Sequence, residues 1–172
     1  MLKYGITIFI ATATAICGYF LLAYKLDTIV LYDRTDAYTT ISPYCSAVPE
    51  FLVKNDHELN VVLSFEDIRE SVYLNNLEID IAPGNASPVL PVAVRGAANN
   101  FQATSYEALP GKYKILEPLR PDQHFTFTFN TSKCRSKKYM VTIRGDITNH
   151  GFKSSFRKQI SIQEKAVFLE RN

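Results

Sequence analysis

The chain has 172 residues, the length of one domain with or without an appendage. Apolar residues make up 47% of it and charged residues 21%, which excludes wholesale disorder and collagen-like or coiled-coil composition. A net charge of +2 is too small to mark a nucleic-acid binder, and none is expected as a partner.

In chain order, the first feature is Tyr4 to Tyr24, 21 consecutive positions without a charge, bracketed by Lys3 and Lys25. As a helix this stretch covers about 30 Å, the hydrocarbon thickness of a bilayer, with tyrosines at headgroup depth. It predicts an uncleaved single-pass signal-anchor over residues 1–24, with Gly18 and Thr14 forming a small-xxx-small pair on one face. A short basic leader, Gly5 and an apolar run resemble a type IV prepilin, although Ile10 stands where that family has glutamate. That resemblance implies a pilin-like subunit of a pilus or secretion system as one alternative.

Residues 25–56 carry several aspartates, a Thr/Tyr-rich run and two prolines, Pro43 and Pro49. They read as a membrane-proximal stalk or first strand. Beyond the apolar stretch stand two cysteines, Cys45 and Cys134, with no metal-ligand spacing. A disulfide between them would close a loop of about 90 residues and contribute about 4–5 kcal/mol on a chain-entropy model. Such a bond belongs to the periplasm or the secretory lumen, and there the C-terminal domain is expected. Two glycosylation sequons, at Asn85 and Asn130, occur no more often than chance allows.

From residue 57 to 172 the chain breaks into short runs of period-two alternation separated by Gly, Pro and Asn clusters. The runs predict eight strands near 57–65, 71–81, 89–95, 101–107, 112–117, 123–130, 138–148 and 154–163. Phe125, Phe127 and Phe129 alternate with Thr126 and Thr128 in the clearest of them. Residues 66–76 also admit a turn or two of helix. Spacings near ten residues predict an all-β fold, an antiparallel β-sandwich. The stretch LeuGluProLeuArgProAspGlnHisPheThrPheThrPhe, residues 116–129, resembles the proline turn and alternating strand of immunoglobulin-like modules. That resemblance implies an immunoglobulin-like fold and no particular activity, because the fold serves many functions. The chain has no Trp, so the tryptophan hallmark of true immunoglobulin domains is missing.

Charge is uneven along the chain. From Lys25 to Ser132 there are 8 basic and 14 acidic residues, a net of −6; from Lys133 onward there are 10 and 3, a net of +7. The basic residues gather as Lys133, Arg135, Lys137, Lys138, Arg144, Lys153, Arg157 and Lys158. They blunt an edge strand, form a solvated face, or make a docking patch for an acidic protein or anionic headgroups.

Hydrolase, phosphate-loop, dinucleotide and zinc-protease motifs are all missing. None of the three histidines, His57, His124 and His150, has metal-ligand spacing to another His or Cys. The expected function is therefore noncatalytic, with no cofactor and no metal. A membrane helix localises a β-sandwich that binds a partner protein, as a subunit or assembly factor of a membrane or envelope complex. The enzymatic alternative is a small membrane-anchored hydrolase whose site forms from loops near His124, His150, Asp122 and Asp146.

Overall fold

The computed structural model describes residues 12–20, 23–55, 57–84, 86–98, 106–109 and 111–170. Among them are eleven strands, paired antiparallel, and a short helix, Arg34–Ala37, between the first two strands, besides the helical residues 12–20. The strands are β1 (Tyr24–Leu31), β2 (Thr39–Ser42), β3 (Cys45–Asn55), β4 (Glu58–Glu66), β5 (Tyr73–Pro83), β6 (Ala93–Ala98), β7 (Tyr106–Leu109), β8 (Lys112–Ile115), β9 (Gln123–Asn130), β10 (Lys138–Asn149) and β11 (Phe152–Glu170).

The chain divides into two compact units, one of residues 30–164 and one of residues 1–29 with 165–172. The larger is a two-sheet β-sandwich. One sheet runs β2-β3-β4-β9-β6 and the other β11-β10-β5-β8-β7. Alternation builds the interior. In β9, Gln123, Phe125, Phe127 and Phe129 turn inward while His124, Thr126 and Thr128 turn outward. Leu59, Val61 and Leu63 of β4 stand directly opposite Phe129, Phe127 and Phe125, so the same pleat face is apolar on both strands. Leu74, Leu77, Ile79 and Ile81 of β5, Val141 and Ile143 of β10, and Ile160 and Ile162 of β11 line the facing sheet and join one continuous core. The edge-to-face contact of Tyr113 with Phe127, centroids 5.5 Å apart, ties β8 to the middle of the other sheet.

Two local devices set the register of the second sheet. His150 and Gly151 both have positive φ, 44° and 85°, and form a two-residue hairpin loop. This geometry suits the right-handed twist of paired strands, and glycine adopts it without a Cβ clash. It aligns β10 with β11 over twelve residue pairs, from Asn149 facing Phe152 to Lys138 facing Gln163. The second device is a bulge, where the β5 register shifts between Arg144 and Asp146 and Asn76 takes φ 50°. Asparagine tolerates this left-handed conformation, and the extra residue puts Leu74 and Leu77 on the same buried face despite their odd spacing.

Residues 25–55 contribute β1, β2 and β3, the strand side of the stalk-or-first-strand expectation. From Val30 onward they belong to the sandwich, with Cys45, Ala47 and Phe51 in the core and β3 paired with β4 from Ser46–Glu66 to Asn55–Glu58. Pro49 is compatible with a strand here because β2 pairs only with residues 45–47, which leaves β3 an edge beyond that point. The stretch 66–76 holds no helix: β4 ends at Glu66, Asp67 takes φ 54°, and β5 begins at Tyr73.

In the smaller unit, residues 12–20 are helical and β1 is the hydrogen-bonded neighbour of β11. This corrects the expected membrane topology. Among the described residues no helix is long and apolar enough to cross a membrane. Tyr4, with residues 4–11, 21 and 22 of the expected span, lies outside the described residues, as do Gly5 and Ile10 of the prepilin resemblance. Gly18 lies among the helical residues 12–20. Tyr24 does not end a helix but opens β1, where the β-branched Thr28, Ile29 and Val30 favour extended backbone. The single-pass, signal-anchor reading is therefore withdrawn, and so is the localisation as a single-pass membrane protein with its C-terminal domain in the periplasm or secretory lumen.

Candidate functional site

The β10–β11 hairpin turns one face toward the core and the other outward, and the outward face carries the candidate site. Register pairs Arg144 with Arg157, Asp146 with Ser155 and Thr148 with Lys153. On the other flank Arg144 faces Glu78 of β5. The result is a cleft of about 290 Å³ lined by Asn76, Glu78, Lys112, Arg144, Asp146 and Arg157, with Gly145 and Phe156 at its floor.

Glycine at the floor has a steric cause. A Cβ on Gly145 would stand 3.0 Å from Phe156 Cε1 and 3.4 Å from Leu74 Cδ1, so the cross-strand phenyl ring occupies the space a side chain would need.

Two carboxylates organise the charge. Glu78 accepts hydrogen bonds from Arg144 Nε and Nη2, at 2.6 and 2.5 Å, and pairs with Lys112 at 3.4 Å. Asp146 accepts from Ser155 Oγ at 2.6 Å and Asn76 Nδ2 at 2.7 Å, and pairs with Lys153 Nζ at 3.0 Å. The Ser155 hydroxyl, then Asn76, then Lys153 stabilise its charged form and hold its carboxyl down to about 2. Arg157 differs: among the described residues nothing hydrogen-bonds or pairs with its guanidinium, although it lies directly across from Arg144.

The eight basic positions therefore do not form one patch. Arg144, Lys153 and Arg157 share the cleft face. Lys133 and Arg135 lie exposed in the loop after β9, Lys138 opens β10, and Lys137 pairs at 2.8 Å with the buried carboxylate of Glu164. Lys158 stands opposite Ile143 on the core side of the hairpin, not on the cleft face.

The expected disulfide is not formed, since Cys45 and Cys134 are free thiols. Strand register explains why. Ser46 faces Glu66 at one end of β4, whereas Asn130 faces Glu58 at the other. Eight residues of strand separate these ends by about 26 Å, and a disulfide needs Cα atoms within about 7 Å. Burial pushes the Cys45 thiol up to about 12, so it behaves as a small core hydrophobe. Burial also raises Cys134.

The histidines do not converge on a site. His124 points outward from β9 opposite Ser64 and Ala97. His150 sits in the hairpin loop 3.2 Å from Glu70, and Asp122 pairs with Arg120 at 3.6 Å. Asp146 is already held by three other donors, so the loop-built hydrolytic arrangement is not assembled. Among the described residues no cluster of His, Cys, Asp and Glu could hold a metal ion. Asn85 lies outside the described residues, while Asn130 Oδ1 accepts from the Ser132 amide and hydroxyl and closes a turn.

Glu78, Asn76, Lys112 and Ser155 are site residues that the sequence reading missed. Asn76 and Glu78 come from β5 and Lys112 from β8, while Ser155 lies within the hairpin itself, and the only local sign was a glycine inside an otherwise alternating strand.

No family model matches the chain, and no curated protein matches it. Among solved structures it is similar to the GAE domain of GGA2p from Saccharomyces cerevisiae, at 10% identity over 75% of this chain and 94% of that one, with a TM-score of 0.38. It is also similar to the yeast GGA1 GAE domain, at 10% identity over 80% and 99%, with a TM-score of 0.36. Overlays this loose carry no functional argument, and the architecture stands on its own strand order: an all-β chain with two antiparallel sheets.

Proposed function

We propose that the sandwich is an immunoglobulin-like, noncatalytic interaction module that docks a partner protein on the outward face of β5, β10 and β11. The observation that carries this reading is the cleft on that face, where Arg144 and Arg157 from one hairpin stand beside ordered carboxylates, with Lys153 paired to Asp146 at its margin. Rigid central strands position these groups, which suits recognition of a surface rather than enclosure of a substrate.

The test is photo-crosslinking from single sites in the native host. A photoreactive residue at Ser155, in the cleft, is expected to give a discrete protein adduct, and one at Thr126, on the outward face of the other sheet, is not. The combined Arg144→Glu, Lys153→Glu and Arg157→Glu changes are expected to abolish the Ser155 adduct. Equal adducts from both faces, or a Ser155 adduct indifferent to charge reversal, would overturn the assignment of the surface.

A further inference from the structure

The cleft has an internal imbalance that points to the chemistry of its ligand. Arg144 and Arg157 are cross-strand partners with their Cβ atoms about 5 Å apart, and like charges placed directly opposite each other repel. Lys112 adds a third cation to the same cleft. The acid that answers them is Glu78, whose carboxylate is shared between Arg144 and Lys112, with Asp80 more distant at 4.0 Å from Arg144. Asp146 offers no relief, because Ser155, Asn76 and Lys153 already occupy its oxygens. Among the described residues the Arg157 guanidinium has no acceptor, and it stands on the wall of an open cleft.

We infer that Arg157, assisted by Arg144, is the subsite for a carboxylate side chain of an acidic segment on the partner protein. Glu78 then acts as an internal competitor that holds Arg144 until the partner's carboxylate arrives. A guanidinium presents a planar fork of donors matched to the two oxygens of a carboxylate, so the subsite reads shape as well as charge. The inference rests on the proposed docking face and deepens it: Arg157 makes the new contact, Arg144 is shared between Glu78 and the ligand, and Lys112 keeps Glu78 from swinging away.

The test titrates the full chain with a capped pentapeptide, Gly-Glu-Gly-Glu-Gly, with its glutamine counterpart, and separately with inorganic phosphate, following the arginine Nε–H and backbone amide resonances by NMR. The glutamate peptide is expected to shift the Arg157 Nε–H and the Gly145 and Ser155 amides saturably, and to bind about fivefold or more tighter than the glutamine peptide. Arg157→Gln is expected to weaken it by about fivefold with the fold intact by circular dichroism. Glu78→Gln, which frees Arg144, is expected to strengthen it by about twofold or more, whereas a merely structural Glu78 would weaken it. The inference is overturned by equal binding of the two peptides, by no shift up to about 10 mM peptide, by indifference to Arg157→Gln, or by phosphate saturating the site at lower concentration than the glutamate peptide. If the peptides fail while charge-sensitive Ser155 crosslinking persists, the docking face stands and the carboxylate subsite falls. If the peptides succeed and crosslinking fails, the subsite stands without a protein docked there.

Discussion

Phe127 shows how one side chain carries several elements at once. It is fully buried, faces Val61 of β4 and Val94 of β6 across the sheet, and meets Tyr113 edge to face from the opposite sheet. Phe127→Ala is expected to destabilise the fold by about 3–5 kcal/mol in urea titration, because a cavity at this crossing cannot collapse from any one side. Gly145→Ala acts oppositely, by overpacking. Phe156 must yield, and a loss of about 1–2 kcal/mol is expected in the same assay. Asp146 sets an acid limit. Its carboxyl is held at about 2 from an ordinary 3.8, so its hydrogen bonds stabilise the fold fully above about pH 4, and this contribution is lost as pH falls through 2. Allowing for solvent screening the contribution is about 1 kcal/mol. Urea midpoints measured at pH 5 and pH 2.5 are expected to differ less in Asp146→Asn than in the parent chain. Cys45, buried and raised to about 12, is expected to resist alkylation until the protein is denatured, and dithiothreitol is expected to leave the thermal midpoint unchanged.

At the level of elements, strands are not equally secured. β9 is paired on both sides from His124 to Thr128, with β4 and with β6, and its four inward residues are all buried. The β7–β8 hairpin joins its sheet through the single register pair Leu77 with Tyr113, and Glu107, Ala108 and Leu109 are exposed. Hydrogen exchange is expected to be slowest in β4, β9 and the middle of β10, and fastest in β7 and β8. Uniform protection across all of them would show that the Tyr113–Phe127 contact secures the hairpin as well as a ladder would. The same unequal pairing explains which elements were legible. β9 was readable to the residue because phenylalanine and threonine alternate without interruption. β3 was not, because its inward positions Cys45, Ala47 and Pro49 are small or conformationally restricted, and outward Leu52 blurs the alternation.

For the whole molecule, composition and periodicity were enough to establish an all-β chain with turns between short strands, since both are local consequences of the pleat. The uncharged run from Tyr4 to Tyr24 misled because hydropathy registers composition, whereas Tyr24 enters a strand through pairing with residues more than a hundred positions away. Cys45 and Cys134 misled for a related reason: an even count says nothing of distance, and only the β3–β4–β9 register shows that they stand at opposite ends of a sheet. The basic cluster near the C-terminus was visible as charge, and Arg144 with Arg157 could be foreseen as neighbours if the last two strands paired. What the sequence by itself determined was the sandwich and the sign of charge on its final hairpin. Only the tertiary structure decided the site, because Glu78, Asn76 and Lys112 reach it through a bulge and two strand pairings whose energies depend on long-range packing and leave no local trace.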